Sequence, residues 1–428
     1  MYKHLNVRVD YNDIDFSNLI MPENDKKNLK GLAAIVREIA ERPEMIEKKR
    51  LWHRHNNLQG ERPMILCDPE NGWHEIIPES TLECANDMAR HWELTMKKQI
   101  FWGDEMQDDY VVEPVFDVPH VYKELPWRIR GKEGLSHAFS TQADGGAYHI
   151  ETVMNSYDEL PDVLPQEITV DYETSGKVLD IAHEVFDGIL KVQNQTVWFW
   201  SFGLTDEFSQ LRGMNNLFMD FYDNPEGVHA LMKKLKEGTI QRLEFLEKNN
   251  LFYPNNNYTY VGSGGVGFTD QLPSEKPAKM SGMWGMAESQ ITVGVSPDMF
   301  AEFIYPYQKE IMDKFGLNCY GCCEGMETRM SIVKQSENLR RVSVSHWADP
   351  EKMSDELKKD YIFSMKPSPT PLAFHEMDMV SAREELEYKF GIAKDKNCVE
   401  IIMKDNHTLG NNPENVKKWV ALAREITG

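Results

Sequence analysis

The chain has 428 residues, of which 47 are Lys or Arg and 69 are Asp or Glu, so its net charge is −22. Hydrophobic residues make up 41% and charged residues 27%, which supports a large core and excludes a disordered chain. The excess of acidic residues argues against nucleic acid and against an anionic membrane surface as partners, because both attract clustered Lys and Arg.

The sequence predicts a cytoplasmic location. The N-terminal residues lack the apolar stretch of a signal peptide, and the most apolar segment, 196–204, is far shorter than the roughly 20 residues of a membrane helix. Six cysteines are too few for a disulfide scaffold. Three of them crowd together at Cys319, Cys322 and Cys323, which favours a metal or reactive site in a reducing compartment.

Residues 1–50 are predicted to form a helical extension, and residues 51–428 a single barrel domain. Asn24 is placed to cap the helix of the extension. The apolar residues of that helix recur at a 3.6-residue period and are Leu29, Leu32, Ala33, Val36, Ile39 and Ala40.

After the extension, strand-like segments alternate with helical patterns. The predicted strands are 64–67, 110–116, 196–202, 257–261, 317–320, 341–345, 361–365 and 398–403. The predicted helices are 83–100, 174–191, 205–220, 226–249, 297–315, 325–337, 350–358, 380–390 and 413–427. This alternation predicts an α/β fold with a parallel sheet closed into a (β/α)8 TIM barrel, and a doubly wound sheet is the alternative. The irregular residues 117–165, including Asp144-Gly145-Gly146, are predicted to be a long insertion that acts as a lid or substrate pocket.

Metal-capable groups collect where the predicted strands end, which is where barrel enzymes carry their chemistry. In an extended segment 319–324, Cys322 and Glu324 would point one way and Cys323 the other. A thiolate and a carboxylate can both bind Zn²⁺, and His407 or His346 could add a third ligand and leave one position open. The alternative is that the cysteines are small core residues and that Glu324 caps the following helix.

Three other patterns admit more than one interpretation. The run 262–267 matches a dinucleotide-binding pattern, but prolines follow it where a helix is required, which favours a simple glycine loop. The aromatic and methionine residues after 197 and 282 either line an aromatic substrate pocket or pack in the core; they are Trp198, Trp200, Phe202, Met283, Trp284 and Met286. Lys404, Asp405 and His407 could also perform acid–base chemistry without a metal.

With these segments in place, the chain resembles the uroporphyrinogen decarboxylase and cobalamin-dependent methyltransferase superfamily from about Trp52 to the C-terminus. Within it, the chain most resembles the methyltransferase I components of corrinoid-dependent O-demethylases. The segments that carry the resemblance are 62–65, 111–114, 295–297, 303–308, 320–324, 366–369 and 402–408. The resemblance implies a (β/α)8 barrel of the uroporphyrinogen decarboxylase type.

The resemblance also implies a zinc site. Members of the family hold zinc with a His-x-Cys pair and a late Cys. This chain carries Cys322 and Glu324 at the positions of the pair, and Asn406-His407 near the late one. The implied zinc ligands are therefore Cys322, Glu324 and His407, with Cys323 and His346 as reserves.

The implied reaction moves a methyl group from a small methoxylated, aromatic substrate to the Co(I) of cobalamin, a corrinoid carried on a partner protein. Zinc would act as the Lewis acid that polarises the ether oxygen. Glu324, His407 and Asp405 would be the catalytic residues, and Asp405, Lys404 or Glu400 would orient His407. The implied substrate-binding residues are Trp200, Phe202, Trp284 and Lys366.

Other functions stay open at this point. A decarboxylase of the same fold would need no metal, but its Arg- and Gly-rich N-terminal motif is not found in the sequence. A corrinoid:thiol methyltransferase and a non-catalytic partner of a corrinoid protein are further alternatives. The sequence fixes neither the methyl donor nor the oligomeric state, and a homo-oligomer stays open.

Overall fold

The computed structural model describes residues 11, 14–17, 19–132, 137–139, 148–150 and 152–428. The helices in these residues are α1 (Glu23–Ala40), α2 (Pro43–Asn56), α3 (Trp73–Ile76), α4 (Asp87–Phe101), α5 (Tyr172–Phe186), α6 (Thr205–Arg212), α7 (Met214–Asp223), α8 (Pro225–Lys248), α9 (Pro297–Phe303), α10 (Tyr305–Met312), α11 (Met330–Val333), α12 (Pro350–Leu357), α13 (Met379–Ala393) and α14 (Glu414–Thr427).

The strands in the same residues are β1 (Met64–Cys67), β2 (Val115–Val118), β3 (Tyr122–Leu125), β4 (Arg128–Ile129), β5 (His137–Phe139), β6 (Tyr148–Ile150), β7 (Val163–Leu164), β8 (Glu167–Val170), β9 (Lys191–Asn194), β10 (Trp284–Ala287), β11 (Leu317–Tyr320), β12 (Leu339–Val344), β13 (Ile362–Met365) and β14 (Cys398–Met403). No helix in this part of the chain is long and apolar enough to cross a membrane.

The N-terminal helix forms as the apolar period predicts. Leu29, Ala33, Val36 and Ile39 are fully buried, and α1 packs against α4. The predicted cap is wrong, because α1 begins at Glu23 and Asn24 therefore lies inside its first turn. Helix α2 runs across the predicted domain boundary at residue 51, and the division into two regions stays a prediction.

A parallel six-stranded sheet forms the centre of the fold, in the order β1-β14-β13-β12-β11-β10. The predicted α/β class with a parallel sheet is confirmed. No pairing among the described residues closes this sheet, whose edges are β1 and β10, so the predicted closed barrel is not found. The strand order runs in one direction and lacks the reversal that a doubly wound sheet requires.

Side chains, rather than strands, cover part of both edges of the sheet. Beside β1, Asp109 accepts the N–H of Ile65 at 2.7 Å and donates its own backbone N–H to Ile65 O at 2.8 Å. Beside β10, the Asn255 amide accepts from Trp284 N at 2.8 Å and donates to Trp284 O at 2.9 Å. These contacts satisfy backbone groups that a neighbouring strand would otherwise bond.

Several predicted elements lie elsewhere along the chain. The predicted strand 110–116 shifts to β2, the predicted strand 196–202 is replaced by β9, and β10 was not predicted. The predicted helix 205–220 divides into α6 and α7 at Gly213, whose φ is +82°. The predicted helix 297–315 divides into α9 and α10 at Ile304, and 325–337 contains only α11.

The predicted strand 257–261 is instead one arm of a hairpin, which we call the glycine hairpin (259–267). Its arms meet through an antiparallel bridge between Tyr260 and Val266. Gly267 N donates to Thr259 O at 2.8 Å, and Val261 N donates to Gly265 O at 3.1 Å. The tip lies against the face of the sheet, since a Cβ on Gly264 would meet Ile402 of β14 at 2.5 Å.

The predicted insertion 117–165 contains antiparallel β-structure in its described part. It pairs β3 with β8, β4 with β7 and β5 with β6, while β2 pairs with β9 in parallel. The predicted turn Asp144-Gly145-Gly146 lies outside the described residues.

Candidate active site

Three strand ends meet at the candidate active site. β1 is followed by Asp68, β11 by Gly321 and Cys322, and β14 by Lys404. The Lys404 Nζ lies 3.8 Å from the Cys322 Sγ, although β12 and β13 separate their strands in the sheet. This contact therefore crosses the sheet at the carboxyl ends of its strands, where parallel α/β enzymes carry their chemistry.

The Cys322 thiol is surrounded by polar groups. Its Sγ lies 3.4 Å from Ser263 Oγ on the glycine hairpin and 3.6 Å from Cys323 Sγ. The hydrogen bond with the Cys323 thiol, supported by Lys404 and Ser263, outweighs burial and lowers the pKa of Cys322 to about 7. The same hydrogen bond and burial raise the pKa of Cys323. Of the two thiols, Cys322 is therefore the one that ionises first.

Lys404 supplies a buried positive charge. Its Nζ forms an ion pair with Asp405 Oδ1 at 2.8 Å, and its side chain is 9% exposed. Burial opposes the charge, but the negative charges of Cys322, Asp405 and Glu70 outweigh burial and raise the pKa of Lys404 well above its ordinary value. The ammonium is thus kept protonated beside a thiol and a half-exposed carboxylate.

Glu324 performs a structural task in this arrangement. Its Oε1 accepts the Ser289 N–H at 2.7 Å, and its Oε2 accepts the Cys322 N–H at 2.9 Å. The side chain is almost fully buried, and Glu288 lies close to it. Burial and the charge of Glu324 raise the pKa of Glu288 well above its ordinary value. Glu324 therefore fixes the backbone of two loops.

The two predicted histidine ligands contact residues other than the thiols. His407 is exposed, and its Nδ1 lies 3.3 Å from the Asn71 amide nitrogen. His346 packs against Trp347 in a tilted arrangement, with ring centroids 4.4 Å apart, and burial lowers its pKa. Cys323 is near Asp405, with 3.8 Å between Sγ and Oδ2.

The predicted zinc ligands do not fit a metal ion as one set. Among the described residues, no group of three or more His, Cys, Asp or Glu side chains is arranged to hold a metal. Both carboxylate oxygens of Glu324 are engaged by backbone N–H groups, and His407 faces Asn71. The predicted catalytic residue Asp405 instead pairs with Lys404. We therefore derive no step through zinc.

The predicted substrate-binding residues divide into a cavity group and a core group. Trp200 lines a cavity and donates from Nε1 to Gly262 O at 3.2 Å. Phe202 is buried and stacks on Phe315, with centroids 5.0 Å apart. Lys366 is 3% exposed and donates to Ser364 Oγ, and burial lowers its pKa to about 7.

The cavity beside Trp200 has aromatic walls. Trp284 lines it but is almost fully buried, donates to Gly267 O at 2.9 Å and stacks under the Arg341 guanidinium. The other walls include Trp198, Phe199, Tyr253, Met283 and Met286. Gly262 also lines the cavity, and it directly precedes Ser263, whose hydroxyl lies at the Cys322 thiol.

Three residues of the site were not selected from the sequence. Ser263 lies in the glycine run 262–267, which was interpreted as a simple glycine loop, so no role was predicted for its hydroxyl. Glu288 follows β10, the strand that was not predicted. Glu70, whose charge acts on Lys404, follows β1 by three residues, and a search of all acidic residues after strand ends could have found it.

The comparisons with known proteins include a distant structural likeness. No protein-family model matches the chain, and no curated protein matches it. A solved structure, a methyltransferase from Methanosarcina mazei, is 11% identical with a TM-score of 0.45, over 89% of this chain and 98% of that one.

Proposed function

We propose that the chain is a methyltransferase that moves a methyl group from a small methoxylated aromatic compound to a corrinoid on a separate protein. The observation that carries the proposal is the Lys404 ammonium, which lies beside Cys322 at the carboxyl ends of β11 and β14. The sequence resemblance to methyltransferase I components supports it. In this proposal the six-stranded sheet is the larger part of a (β/α)8 barrel.

The reaction needs a group that stabilises a leaving oxygen. When a methyl group leaves an aryl ether, the C–O bond breaks and its electron pair stays on oxygen as a phenolate. Lys404 can donate a hydrogen bond to that oxygen and place a positive charge beside it. Because its pKa is raised well above its ordinary value, Lys404 keeps its proton and acts through charge and hydrogen bonding rather than as a general acid.

The aromatic cavity has a volume of about 40 Å³, smaller than the roughly 150 Å³ of a cavity that holds benzene, so the ring of such a substrate enters only when the cavity walls move apart. Trp198, Trp200 and Tyr253 offer flat apolar walls, and Gly262 forms the side of the cavity nearest Ser263. Aromatic rings pair favourably with such walls in stacked or edge-to-face arrangements. A methoxy group that extends past the tip of the glycine hairpin would approach Cys322 and Lys404.

A second candidate is transfer of a methyl group from the corrinoid to a thiol. The adjacent thiols of Cys322 and Cys323, 3.6 Å apart, favour it, because sulfur is a good methyl acceptor once it is ionised. The two candidates differ in the direction in which the methyl group moves, so one assay run in both directions distinguishes them.

The test uses the whole protein with a panel of methoxylated aromatic compounds and a reduced Co(I) corrinoid protein. Release of the phenol is followed by chromatography, and methylation of the corrinoid by its absorbance. Lys404→Met should lower kcat/KM by roughly 100- to 1000-fold, the usual cost of removing one charge-stabilising donor. Lys404→Arg should retain more activity than Lys404→Met.

The control variant is Lys334→Met, which removes a lysine that pairs with Glu356. It should turn over like the wild type. Unchanged kcat/KM in Lys404→Met would remove Lys404 from the reaction. Absence of phenol release across the panel, together with methylation of an added thiol, would replace the proposal with the second candidate.

A further inference from the structure

A second cluster of ionisable groups lies at the amino-terminal end of β14, opposite the end that carries the candidate active site. It consists of Cys398, His55 and Glu400. Cys398 and Glu400 lie two residues apart at the start of β14, and His55 lies in the last turn of α2. Lys404 follows the other end of the same strand. The cluster is therefore separated from the candidate active site by the length of β14.

The three side chains form a relay of hydrogen-bond partners. Cys398 Sγ lies 3.4 Å from His55 Nδ1, and His55 Nε2 lies 3.0 Å from Glu400 Oε2. The backbone N–H of Gly60 also donates to the Cys398 sulfur. A thiol next to one nitrogen of an imidazole, with a carboxylate on the other nitrogen, is the arrangement that activates cysteine nucleophiles.

Neighbouring charges hold Glu400 ionised and His55 protonated. Arg341 Nε lies 2.8 Å from Glu400 Oε1, and Ser364 Oγ donates to the same carboxylate. Burial opposes the charge on His55, but Cys398 and Glu400 outweigh it and raise the pKa of His55 to about 9. Burial likewise opposes the Cys398 thiolate, yet His55 outweighs it and lowers the pKa of Cys398.

Arg340 adds a positive charge from β12. Its guanidinium donates to the backbone oxygen of Asn56 and interacts electrostatically with Cys398. The charged and titratable groups that act on the thiol are thus His55, Glu400 and Arg340, while Arg341 and Lys366 act on Glu400. The positive groups outnumber the single carboxylate, which favours a thiolate over a thiol.

Cys398 is the one residue of this cluster that is partly exposed. His55 and Glu400 are fully buried, whereas Cys398 is partly exposed. Cys67, Cys84 and Cys319 are buried, and burial raises the pKa of each of them. Cys323 is also partly exposed, but its pKa is raised. Cys322 has a lowered pKa but is buried, so among the described cysteines Cys398 combines partial exposure with an activating partner.

We propose that Cys398 is a covalent modification site that forms mixed disulfides with small disulfides, activated by His55 and positioned by Glu400. The thiolate sulfur attacks one sulfur of the disulfide, the S–S bond breaks, and the second sulfur leaves as a thiolate that takes a proton from water. Cys398 ends as a mixed disulfide, and the small disulfide has supplied the oxidising equivalents. A free thiol reverses the reaction by the same exchange.

The first test uses the wild-type protein under native conditions. The rate of iodoacetamide alkylation is measured for each cysteine by peptide mass spectrometry between pH 5 and pH 10. Cys398 should react at least about tenfold faster than Cys323 at pH 7, with a pH midpoint clearly below the ordinary cysteine value of about 8.5. A midpoint at or above that value overturns the proposal.

The second test uses bis(2-hydroxyethyl) disulfide, an uncharged small disulfide. A single mixed disulfide should form on Cys398, be lost in Cys398→Ser and be reversed by dithiothreitol. His55→Asn should raise the pH midpoint of alkylation toward the ordinary cysteine value. If that variant does not fold, the wild-type pH profile alone decides. A mixed disulfide on another cysteine, with Cys398 left free, refutes the proposal.

Discussion

Gly262 at the tip of the glycine hairpin offers a sharp test of how the hairpin packs against the sheet. Its φ is +67°, and a Cβ at this position would lie 2.7 Å from both Cβ and Sγ of Cys319 in β11. An alanine in the left-handed region costs about 1–2 kcal/mol. The overpacked contact costs a further 1–3 kcal/mol or so. Gly262→Ala should therefore lower the free energy of unfolding by about 2–5 kcal/mol.

Gly188→Ala is the matched control. Gly188 has a φ of +83°, but a Cβ there would meet no atom within 4 Å. The control should therefore lose only the backbone contribution of about 1–2 kcal/mol. Both variants are compared with the wild type by urea denaturation. A shift of the unfolding midpoint reports a change in stability when the dependence of the unfolding free energy on urea concentration is the same in all three proteins. If Gly262→Ala is no more destabilising than Gly188→Ala, the hairpin does not pack on β11 as described.

Three further substitutions test the edges of the sheet and the predicted metal site. Asn255→Ala should lower the free energy of unfolding by about 2–4 kcal/mol in urea, because it leaves the buried N–H and C=O of Trp284 without their partner. Asp109→Asn should cost about 2–3 kcal/mol at pH 7. Burial opposes the Asp109 charge, but Arg62 and Arg424 outweigh it and lower its pKa from the ordinary 3.8. Because a lowered pKa stabilises the fold above the ordinary value, the difference from the wild type should vanish as the pH falls through the folded pKa, and a difference that persists in acid would contradict this. Glu324→Gln should cost about 1–3 kcal/mol by weakening one of its two backbone contacts, with no change in metal per chain by elemental analysis of untagged protein. Loss of stoichiometric zinc in that variant would return Glu324 to the ligand set.

Buried strands were predictable where the apolar run was short and bounded. β1, β11 and β14 begin and end at the predicted residues. The failures come from sequences whose pattern fits two structures. Residues 257–261 have the aromatic and β-branched composition of a strand, yet they form a hairpin arm. Strand β10 was missed because its sequence contains Gly285 and methionine in place of β-branched residues.

The metal-site prediction failed to anticipate two bends of the backbone. Strand alternation was assumed to continue to Glu324, but Gly321 has a φ of +88° and the chain turns there. Glu324 can therefore fold back onto the Cys322 N–H. Asp405 has a φ of +61°, a conformation that a sequence pattern does not reveal, and His407 lies exposed beyond it.

The edges of the sheet were not predictable, because they depend on contacts between distant segments. Asp109 acts there through its carboxylate and its backbone N–H, Asn255 acts through its side-chain amide, and neither has a periodic neighbour that would mark it. Lys404 was predicted to orient His407 or to take part in acid–base chemistry, but its contact with Cys322 joins two segments 82 residues apart, which a local pattern does not reveal.

The pairing of β1 with β14 has a consequence for how the chain folds during synthesis. Met64 pairs with Glu400, so β1 leaves the ribosome long before its partner exists. Contacts of such long sequence separation slow folding, because the loop between them must close first. Until then the apolar strand β1 has an unpaired edge that can add to other chains. Chains truncated before residue 398 should therefore aggregate, and folding of the intact protein should benefit from chaperones that shield early segments.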